Sequence, residues 1–219
     1  MTVPEADRWA RLARSKEGWA RDGRLLTGRR ADPATDRLPP GQRLVRDWPV
    51  LDLGTQPVIP MREWRFAAGG LCARTISWTG ADFLKLPVVQ TMSDIHCVTG
   101  WSVYDNLWQG VSGAHLLALL RPRPEARFAI VKSFDSYTTC VPIEHLADPA
   151  TLLATHRNGE PLTRAHGGPV RLIVPKLYLW KSAKWIRQIW LTDAGNVGYW
   201  EARGYHRRGD PWAEERYGR

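Results

Sequence analysis

The apolar runs of this chain are short, and glycine or proline bounds them along most of its length. Such runs are typical of β-strands, and they lie at residues 63–67, 71–78, 83–89, 127–133, 171–174 and 185–192. One helix is predicted at residues 112–120, where Ser112 can cap the first turn and Pro122 stops the last. Many short strands with few helices predict an α+β fold with mixed short-stranded sheets, rather than a wound parallel sheet.

The strongest turn signal is the pair Asn158-Gly159, which lies between two apolar segments. An Asn-Gly pair in this setting is typical of a type I′ hairpin, so we expect strands at residues 152–155 and 160–162. A second turn is predicted at residues 193–196, after the last predicted strand.

Composition decides the broad class of protein. The chain has 219 residues, of which 43% are hydrophobic and 12 are tryptophan, and this content excludes a chain that is disordered throughout. The longest apolar stretch, at residues 116–120, is far too short to span a membrane, so no membrane partner is expected. Three widely spaced cysteines exclude a disulfide framework and a paired-cysteine metal cluster.

The first residues alternate charges and contain no apolar core, which is not the pattern of a secretory signal. We therefore expect a cytoplasmic protein. Residues 1–37 are polar and rich in arginine, and we interpret them as a basic extension packed on a single domain at residues 38–219. The sequence assigns no role to this extension.

The charge is strongly basic, with 31 Lys and Arg against 22 Asp and Glu, a formal net charge of +9. Residues 171–190 contain five basic residues and no acidic one, and apolar residues alternate with them. Buried strands with so many unpaired cations would be costly, so we infer a bound anion near this segment. A solvated face is the competing interpretation. Net charge by itself would suit a nucleic acid, a membrane surface or a phosphorylated cofactor, so it does not identify the anion.

Cys97 follows a strand-like stretch and precedes a loop that contains Gly100, a position from which a side chain can project into a cavity. Three further motifs follow it in the chain. They are Tyr-Thr-Thr-Cys-Val-Pro from Tyr137, Asn-Gly-Glu-Pro-Leu from Asn158, and a long series made of His166-Gly-Gly-Pro-Val-Arg171 and Lys181-Ser-Ala-Lys-Trp185. In this order and spacing, the motifs of residues 38–219 resemble the molybdopterin domain of the sulfite oxidase superfamily, and are most similar to its small cytosolic members.

The resemblance implies a molybdopterin cofactor with Cys97 as the one protein ligand to molybdenum and the Tyr137 hydroxyl facing the metal. The other residues that it implies at the cofactor are His96, Ser133, His166, Arg171, Lys181, Ser182, Ala183 and Lys184. Residues 52–55 match the family weakly at a place that contacts the pterin. Whether the pterin carries a nucleotide is left open.

Each of these residues also has an ordinary structural interpretation. His166 can be a loop histidine, Tyr137 a core aromatic and Lys181 a solvated lysine. His96 is adjacent to Cys97, and neighbours on a strand point to opposite faces, so packing or support of the site is favoured for it.

By resemblance, the reaction is a two-electron oxygen-atom transfer on a small substrate, either a sulfoxide or a sulfite-like compound. Sulfite-oxidising members have Asn-Arg-Arg after the ligand cysteine, and paired cations suit a doubly charged anion. This chain instead has Gly100-Trp101-Ser102, similar to sulfoxide-reducing relatives, although Thr99 stands where those relatives have an acidic residue. Since no haem-binding segment is visible, we expect a separate electron donor or acceptor, and a monomer.

Two other functions stay open from the sequence. Arginine and lysine interleaved with aromatic residues can form a surface that stacks on bases and binds phosphates, which would make the chain a nucleic-acid-binding module. A molybdopterin-binding protein that does not turn over substrate is the second.

Overall fold

The computed structural model describes Asp22, Asp32 and residues 36–195 and 198–218. The predicted packing of the extension at residues 1–37 therefore lies mostly outside the described residues. At its end, Arg37 donates to Asp94 at 2.7 Å and to Asp105 at 2.7 Å, and its guanidinium lies 4.2 Å from the centre of the Tyr104 ring.

The first sheet has six strands and is built around one long strand. The strands are β1 (Arg43–Leu44), β4 (Val89–Cys97), β5 (Trp101–Ser112), β8 (Leu152–Arg157), β9 (Glu160–Pro161) and β10 (Arg171–Ile173). The long strand β5 pairs antiparallel with β4 and with β8, and parallel with the two residues of β1. On the outer side of β8 lie β9 and β10, both antiparallel to it.

The second sheet has five strands in the order β3-β2-β11-β6-β7. Their bounds are β2 (Arg65–Gly70), β3 (Ile76–Thr79), β6 (Phe128–Ser133), β7 (Thr138–Pro142) and β11 (Ile186–Thr192). The central strand β11 is parallel to β2 and antiparallel to β6, so the sheet is mixed.

Within the described residues, three short α-helices connect the strands: α1 (Gly80–Phe83), α2 (Gly113–Leu120) and α3 (Ile143–Leu146). The predicted helix at residues 112–120 is confirmed as α2, because the Ser112 hydroxyl accepts the His115 amide at 3.1 Å and Arg121 ends the helix at φ 53°. In the part of the chain that the structure describes, no helix is long and apolar enough to cross a membrane.

The main core lies between the sheets and draws on both of them. Phe66, Val131 and Ile189 of the second sheet are buried together with Val111 and Leu153 of the first. A smaller buried cluster surrounds Cys97 on the first sheet and consists of Ile95, Trp101, Val103, Trp108, Leu152, Ala154 and Ile173. Mixed short-stranded sheets with few helices confirm the predicted α+β class.

Two of the predicted strands are wrong in part or in full. Residues 83–89 are not a strand, because Thr79 and Asp82 form a capping box that starts helix α1, and β4 begins only at Val89. Residues 71–75 are not in β3, because β2 ends at Gly70 with φ 100° and the chain turns there. The Asn-Gly hairpin is confirmed, with φ 53° at Asn158 and 85° at Gly159.

Candidate active site

A cavity of about 360 Å³ opens beside the turn that follows β4. Six stretches of the chain line it, and the side chains that matter for chemistry come from the sequence motifs described above. The lining residues are Trp48, Pro49, Leu51, Asp52, Leu53, Cys97, Val98, Thr99, Trp101, Asp135, Tyr137, His166, Arg171, Leu179, Trp180, Ser182, Ala183, Lys184, Trp185, Trp200 and Tyr205. Residues of the motifs at Cys97, at Tyr137, at residues 166–171 and at residues 181–185 therefore meet at one place, while residues 158–162 do not line the cavity.

Cys97 is the last residue of β4 and lies in the cavity wall. Its carbonyl accepts the Gly100 amide at 3.0 Å, which closes the turn, and the Gln42 side chain at 3.1 Å. Gly100 has φ 90°, a backbone conformation that glycine adopts without strain. The sulfur lies 3.2 Å from the Thr99 hydroxyl. Burial raises the pKa of the Cys97 thiol, while Thr99 and the positive charge of Arg216 oppose that rise.

Tyr137 lines the cavity from the loop between β6 and β7. Its hydroxyl donates to the Trp180 carbonyl at 2.5 Å, and burial raises the pKa of the phenol well above its ordinary value. Because the hydroxyl proton is committed to Trp180, the phenol oxygen is left as an acceptor. Asp135 in the same loop accepts the Tyr137 amide at 3.1 Å, and burial raises the pKa of this carboxyl group.

Arg171 begins β10 and is a buried cation in the cavity wall, with 3% of its surface exposed. It donates to the carbonyls of His166 and Ser182, both at 2.7 Å, and lies 5.0 Å from the centre of a Trp48 ring. Burial lowers the pKa of Arg171 to about 9, and no described carboxylate opposes that shift. The positive charge is therefore uncompensated within the described chain.

His166 is fixed by the loop that carries it. Gly167 has φ 99°, and a Cβ there would lie 2.9 Å from the Cβ of Lys184, so the loop can approach Lys184 this closely only with glycine. The imidazole stacks on Trp48 at 4.2 Å, with Nε2 3.1 Å from the Trp48 carbonyl and Nδ1 3.0 Å from the Thr163 hydroxyl. Since a carbonyl only accepts, Nε2 carries the proton. Burial lowers the pKa of His166, which favours the neutral ring.

The loop at residues 182–184 forms another part of the wall. Lys184 donates to the Ala165 carbonyl at 2.6 Å and lies 3.6 Å from Asp52, and burial lowers its pKa to about 8. The Ser182 hydroxyl accepts the Val174 amide at 2.9 Å, and the Ala183 carbonyl accepts the Leu172 amide at 2.8 Å. These two contacts tie the loop to β10.

Three residues that the resemblance implies at the cofactor lie outside the cavity wall. Lys181 is fully buried and pairs with Glu201, and it also donates to the carbonyls of Cys140 at 2.7 Å and Arg207 at 2.5 Å. It points into the packing under the carboxyl-terminal segment, so its contacts are structural.

His96 and Ser133 are the other two. Strand alternation turns His96 away from Cys97, as expected: its Nδ1 lies 2.8 Å from the Ser102 hydroxyl and its ring meets Trp212 edge-on. Ser133 ends β6, where its backbone closes the turn that carries Asp135 and Tyr137, and its buried hydroxyl has no described hydrogen-bond partner.

Several wall residues were not predicted from the sequence. Trp48, Trp180, Trp200 and Tyr205 give the cavity an aromatic lining, and Asp135 adds a carboxylate. Asp52 and Leu53 belong to the stretch whose match was weak. The tryptophans carry no distinguishing signal in the sequence, since a tryptophan in a motif is equally suited to a core.

The donor set of the cavity fits molybdopterin, an anionic pterin with a dithiolene and a phosphate. Arg171 supplies a buried charge without a carboxylate, and the buried indole nitrogen of Trp180 has no described partner. Among the described residues no group of three or more His, Cys, Asp or Glu side chains could hold a metal ion. A metal held here by the Cys97 sulfur therefore needs further ligands from an organic cofactor, as a dithiolene provides.

Comparison with known proteins gives the family. The family model described as an oxidoreductase molybdopterin binding domain matches residues 53–200. Among curated relatives, the uncharacterized oxidoreductase YuiH of Bacillus subtilis is 39% identical over 189 residues, which are 86% of this chain and 96% of that protein. The putative protein-methionine-sulfoxide reductase subunit YedZ1 of Azospira oryzae is 29% identical over 144 residues, 66% of this chain and 55% of that protein.

A solved structure shows the same fold. The sulfane dehydrogenase SoxCD from Paracoccus pantotrophus superposes with a TM-score of 0.60 at 22% identity, over 68% of this chain and 42% of that chain. The chain thus spans nearly all of YuiH, but about half of YedZ1 and less than half of the SoxCD chain. This chain belongs to the oxidoreductase molybdopterin binding domain family of sulfite oxidase-like enzymes and is a molybdenum-dependent oxidoreductase with molybdopterin as its cofactor.

Proposed function

We propose that this enzyme reduces a small, neutral sulfoxide by two-electron oxygen-atom transfer at a molybdenum held by Cys97. The observation that carries the proposal is the cavity itself, which brings Cys97 and Tyr137 into one wall with the uncompensated cation Arg171. Such a site requires three groups: a soft sulfur ligand for the metal, a phenol that forms hydrogen bonds, and a cation that binds the anionic cofactor.

Each residue has a distinct role in this proposal. Arg171 and Lys184 bind the anionic part of the cofactor, and Ser182 and Ala183 shape the loop between them. Cys97 is the protein ligand to the metal, and the cofactor supplies the centre that exchanges two electrons and an oxygen atom with the substrate. Tyr137 accepts a hydrogen bond from a protonated oxygen, such as that of a water molecule, through its phenol oxygen, whose position the Trp180 carbonyl fixes.

The character of the wall supports a neutral substrate. The turn after Cys97 contributes Val98, Thr99 and Trp101 and no cation, while Trp200 and Tyr205 add aromatic surface. A sulfite dianion needs paired cations, whereas a sulfoxide with apolar substituents fits aromatic walls. Reduction of a sulfoxide takes two electrons and two protons and yields a thioether and water.

Relatives support the same substrate class. YedZ1 is named as a putative protein-methionine-sulfoxide reductase subunit, and MsrP of Campylobacter jejuni, 26% identical over 158 residues, as the catalytic subunit of a protein-methionine-sulfoxide reductase. Because both relatives are named as subunits, they also support a separate electron donor for this chain.

A monomer in the cytoplasm completes the proposal. All three cysteines are free and buried, which suits a reducing compartment. The nucleic-acid alternative loses support because Arg171 and Lys181 of the acid-free segment are buried, so they cannot form a phosphate-binding surface.

The test uses the protein purified from a molybdenum-sufficient host, with the Cys97→Ser variant beside it. We expect about one molybdenum per chain in the wild type, its loss in Cys97→Ser, and reduction of methionine sulfoxide and dimethyl sulfoxide by a reduced viologen dye. Sulfite oxidation with ferricyanide should be at least tenfold slower. Metal retained by Cys97→Ser would overturn the ligand assignment, and faster sulfite oxidation would overturn the substrate class. Molybdenum and pterin without any turnover would instead support the binding protein that lacks activity.

A further inference from the structure

The turn that carries Cys97 is held by a residue near the carboxyl end of the chain. The carbonyl of Val98, directly after Cys97, accepts a hydrogen bond from the Arg216 guanidinium, 118 positions away in the sequence. On the other side, Gln42 donates to the Cys97 carbonyl at 3.1 Å. Two long-range contacts thus hold the carbonyls of Cys97 and Val98, the first two peptides of the turn that carries the Cys97 side chain.

Arg216 is itself held in place by an acidic partner. Glu214 accepts from Nε at 2.5 Å and from Nη2 at 3.1 Å, a two-pronged contact that orients the guanidinium plane. The Glu214 side chain is 5% exposed and that of Arg216 is 20% exposed, so water screens the pair weakly. The guanidinium also lies 5.4 Å from the centre of the Tyr178 ring. A side chain held from three sides can act as a rigid support for the turn.

The backbone at Glu214, the residue that holds the Arg216 guanidinium, is strained. Glu214 has φ 51°, a left-handed conformation that is unfavourable for a residue with a side chain. The flanking segment is anchored, since the His206 amide donates to the Arg216 carbonyl at 3.2 Å and the Gly218 amide to the Gly204 carbonyl at 2.8 Å. Strain that the surroundings maintain in this manner points to a functional constraint.

We propose that Arg216, oriented by Glu214, is a positioning residue for the molybdenum ligand Cys97. It fixes the peptide that follows the ligand through its hydrogen bond to the Val98 carbonyl. This inference rests on the proposed role of Cys97. The carboxyl-terminal segment is therefore part of the ligand environment, although Arg216 itself is outside the cavity wall.

The same segment offers a matched control. Arg208 makes an equivalent two-pronged contact with Glu215, at 2.9 and 2.6 Å, but it is half exposed and its hydrogen bonds do not reach the Cys97 turn. Arg208→Gln removes the same groups from the same segment as Arg216→Gln. A difference between the two variants therefore reports the contact with the turn, rather than a general loosening of the segment.

The experiment compares purified holoenzymes by two measurements that do not require turnover. These are the energy of the sulfur-to-molybdenum charge-transfer absorption band and the half-time of molybdenum release during incubation with a chelator. We expect Arg216→Gln to shift the band and to shorten the half-time by at least tenfold, in the range found when residues that orient metal ligands are removed. Arg208→Gln should leave both unchanged. Arg216→Lys, which keeps the charge but loses the planar fork, should recover part of the half-time.

The inference is overturned if Arg216→Gln and Arg208→Gln behave alike in both measurements. If Arg216→Gln does not fold, Arg216→Lys and Glu214→Gln decide, and wild-type behaviour of both would overturn it. Cys97→Ser separates this failure from that of the proposed function. If Cys97→Ser keeps its metal, the ligand assignment fails; if it loses the metal while the Arg216 variants are normal, this inference alone fails.

Discussion

Two buried regions of this enzyme contain cations, and they differ in how the positive charge is compensated. Under the carboxyl-terminal segment, Lys181 is paired with Glu201, whose same oxygen accepts the Thr139 hydroxyl at 3.0 Å. In the cavity wall, Arg171 meets carbonyl oxygens and an aromatic ring, and no described carboxylate opposes its charge. In the first region the positive charge is paired within the protein, although Glu201 Oε2 has no described hydrogen-bond partner, while in the second region the charge has no described carboxylate partner.

This difference distinguishes a buried cation that is paired within the fold from one that lines the cavity without a described carboxylate partner, which the sequence alone does not do. A buried charge is costly unless it is paired and hydrogen-bonded, so a fold keeps an unpaired one where a ligand compensates it. Lys181 and Lys184 illustrate the point, since three positions of one motif separate them. One is bound to Glu201, and the other faces the cavity with Asp52 at 3.6 Å.

The largest effect is expected from Lys181→Met, which leaves Glu201 buried without its partner. Removing one member of a buried ion pair costs about 3–5 kcal/mol. We expect urea unfolding to show a loss of that size, and the double variant Lys181→Met/Glu201→Gln to recover part of it because no charge is then left unpaired. The pterin content per folded chain should stay at the wild-type level.

A different outcome would reverse the comparison. If Lys181→Met unfolds at the wild-type urea concentration but loses pterin, then Lys181 binds the cofactor as the resemblance implies, and burial of an ion pair is not a sign of a structural role here.

The next largest effect is expected from Arg171→Gln. In contrast to Lys181→Met, this variant should lose less stability and much of its bound pterin. The carbonyls of His166 and Ser182 lose charged donors, which costs about 1–3 kcal/mol of stability. The anionic cofactor loses its buried counter-charge, so we expect at least a tenfold fall in pterin bound per folded chain. Fluorescence of the oxidised pterin after extraction measures this. Full pterin content with reduced stability would make Arg171 a structural cation like Lys181.

The sequence motifs predicted which residues lie together at the cavity, whereas parts of the surrounding fold were not predicted. The spaced motifs placed Cys97, Tyr137, His166, Arg171 and Lys184 together, and all five line one cavity. Sequence could not separate Lys181 from the residues that line the cavity, because its partner Glu201 is 20 positions away and carries no local signal.

The fold was predictable where the signal is local. The Asn158-Gly159 turn and the Ser112 cap are local signals, and both are confirmed. The long strand β5 was missed, because Asp105 and Asn106 interrupt its apolar pattern and only pairing on both sides makes it continuous. Trp48 reaches the cavity from the segment before the second strand, a contact that depends on the tertiary fold alone.

The smallest effect is expected at Lys184. Its positive charge is intermediate between those of Lys181 and Arg171, because Asp52 partly compensates it. Burial lowers its pKa to about 8, so the ammonium attracts an anion below that pH and loses this attraction as the pH rises through it. A bound anion favours the charged form, so in the holoenzyme the loss of attraction begins somewhat above pH 8.

At pH 7 we expect Lys184→Met to release pterin roughly fivefold faster than wild type, equivalent to about 1 kcal/mol. At pH 10 the two rates should converge, because the wild-type side chain is then neutral. Parallel pH profiles that keep their separation would show that Lys184 acts through its contact with the Ala165 carbonyl, which shapes the His166 loop, and not through its charge.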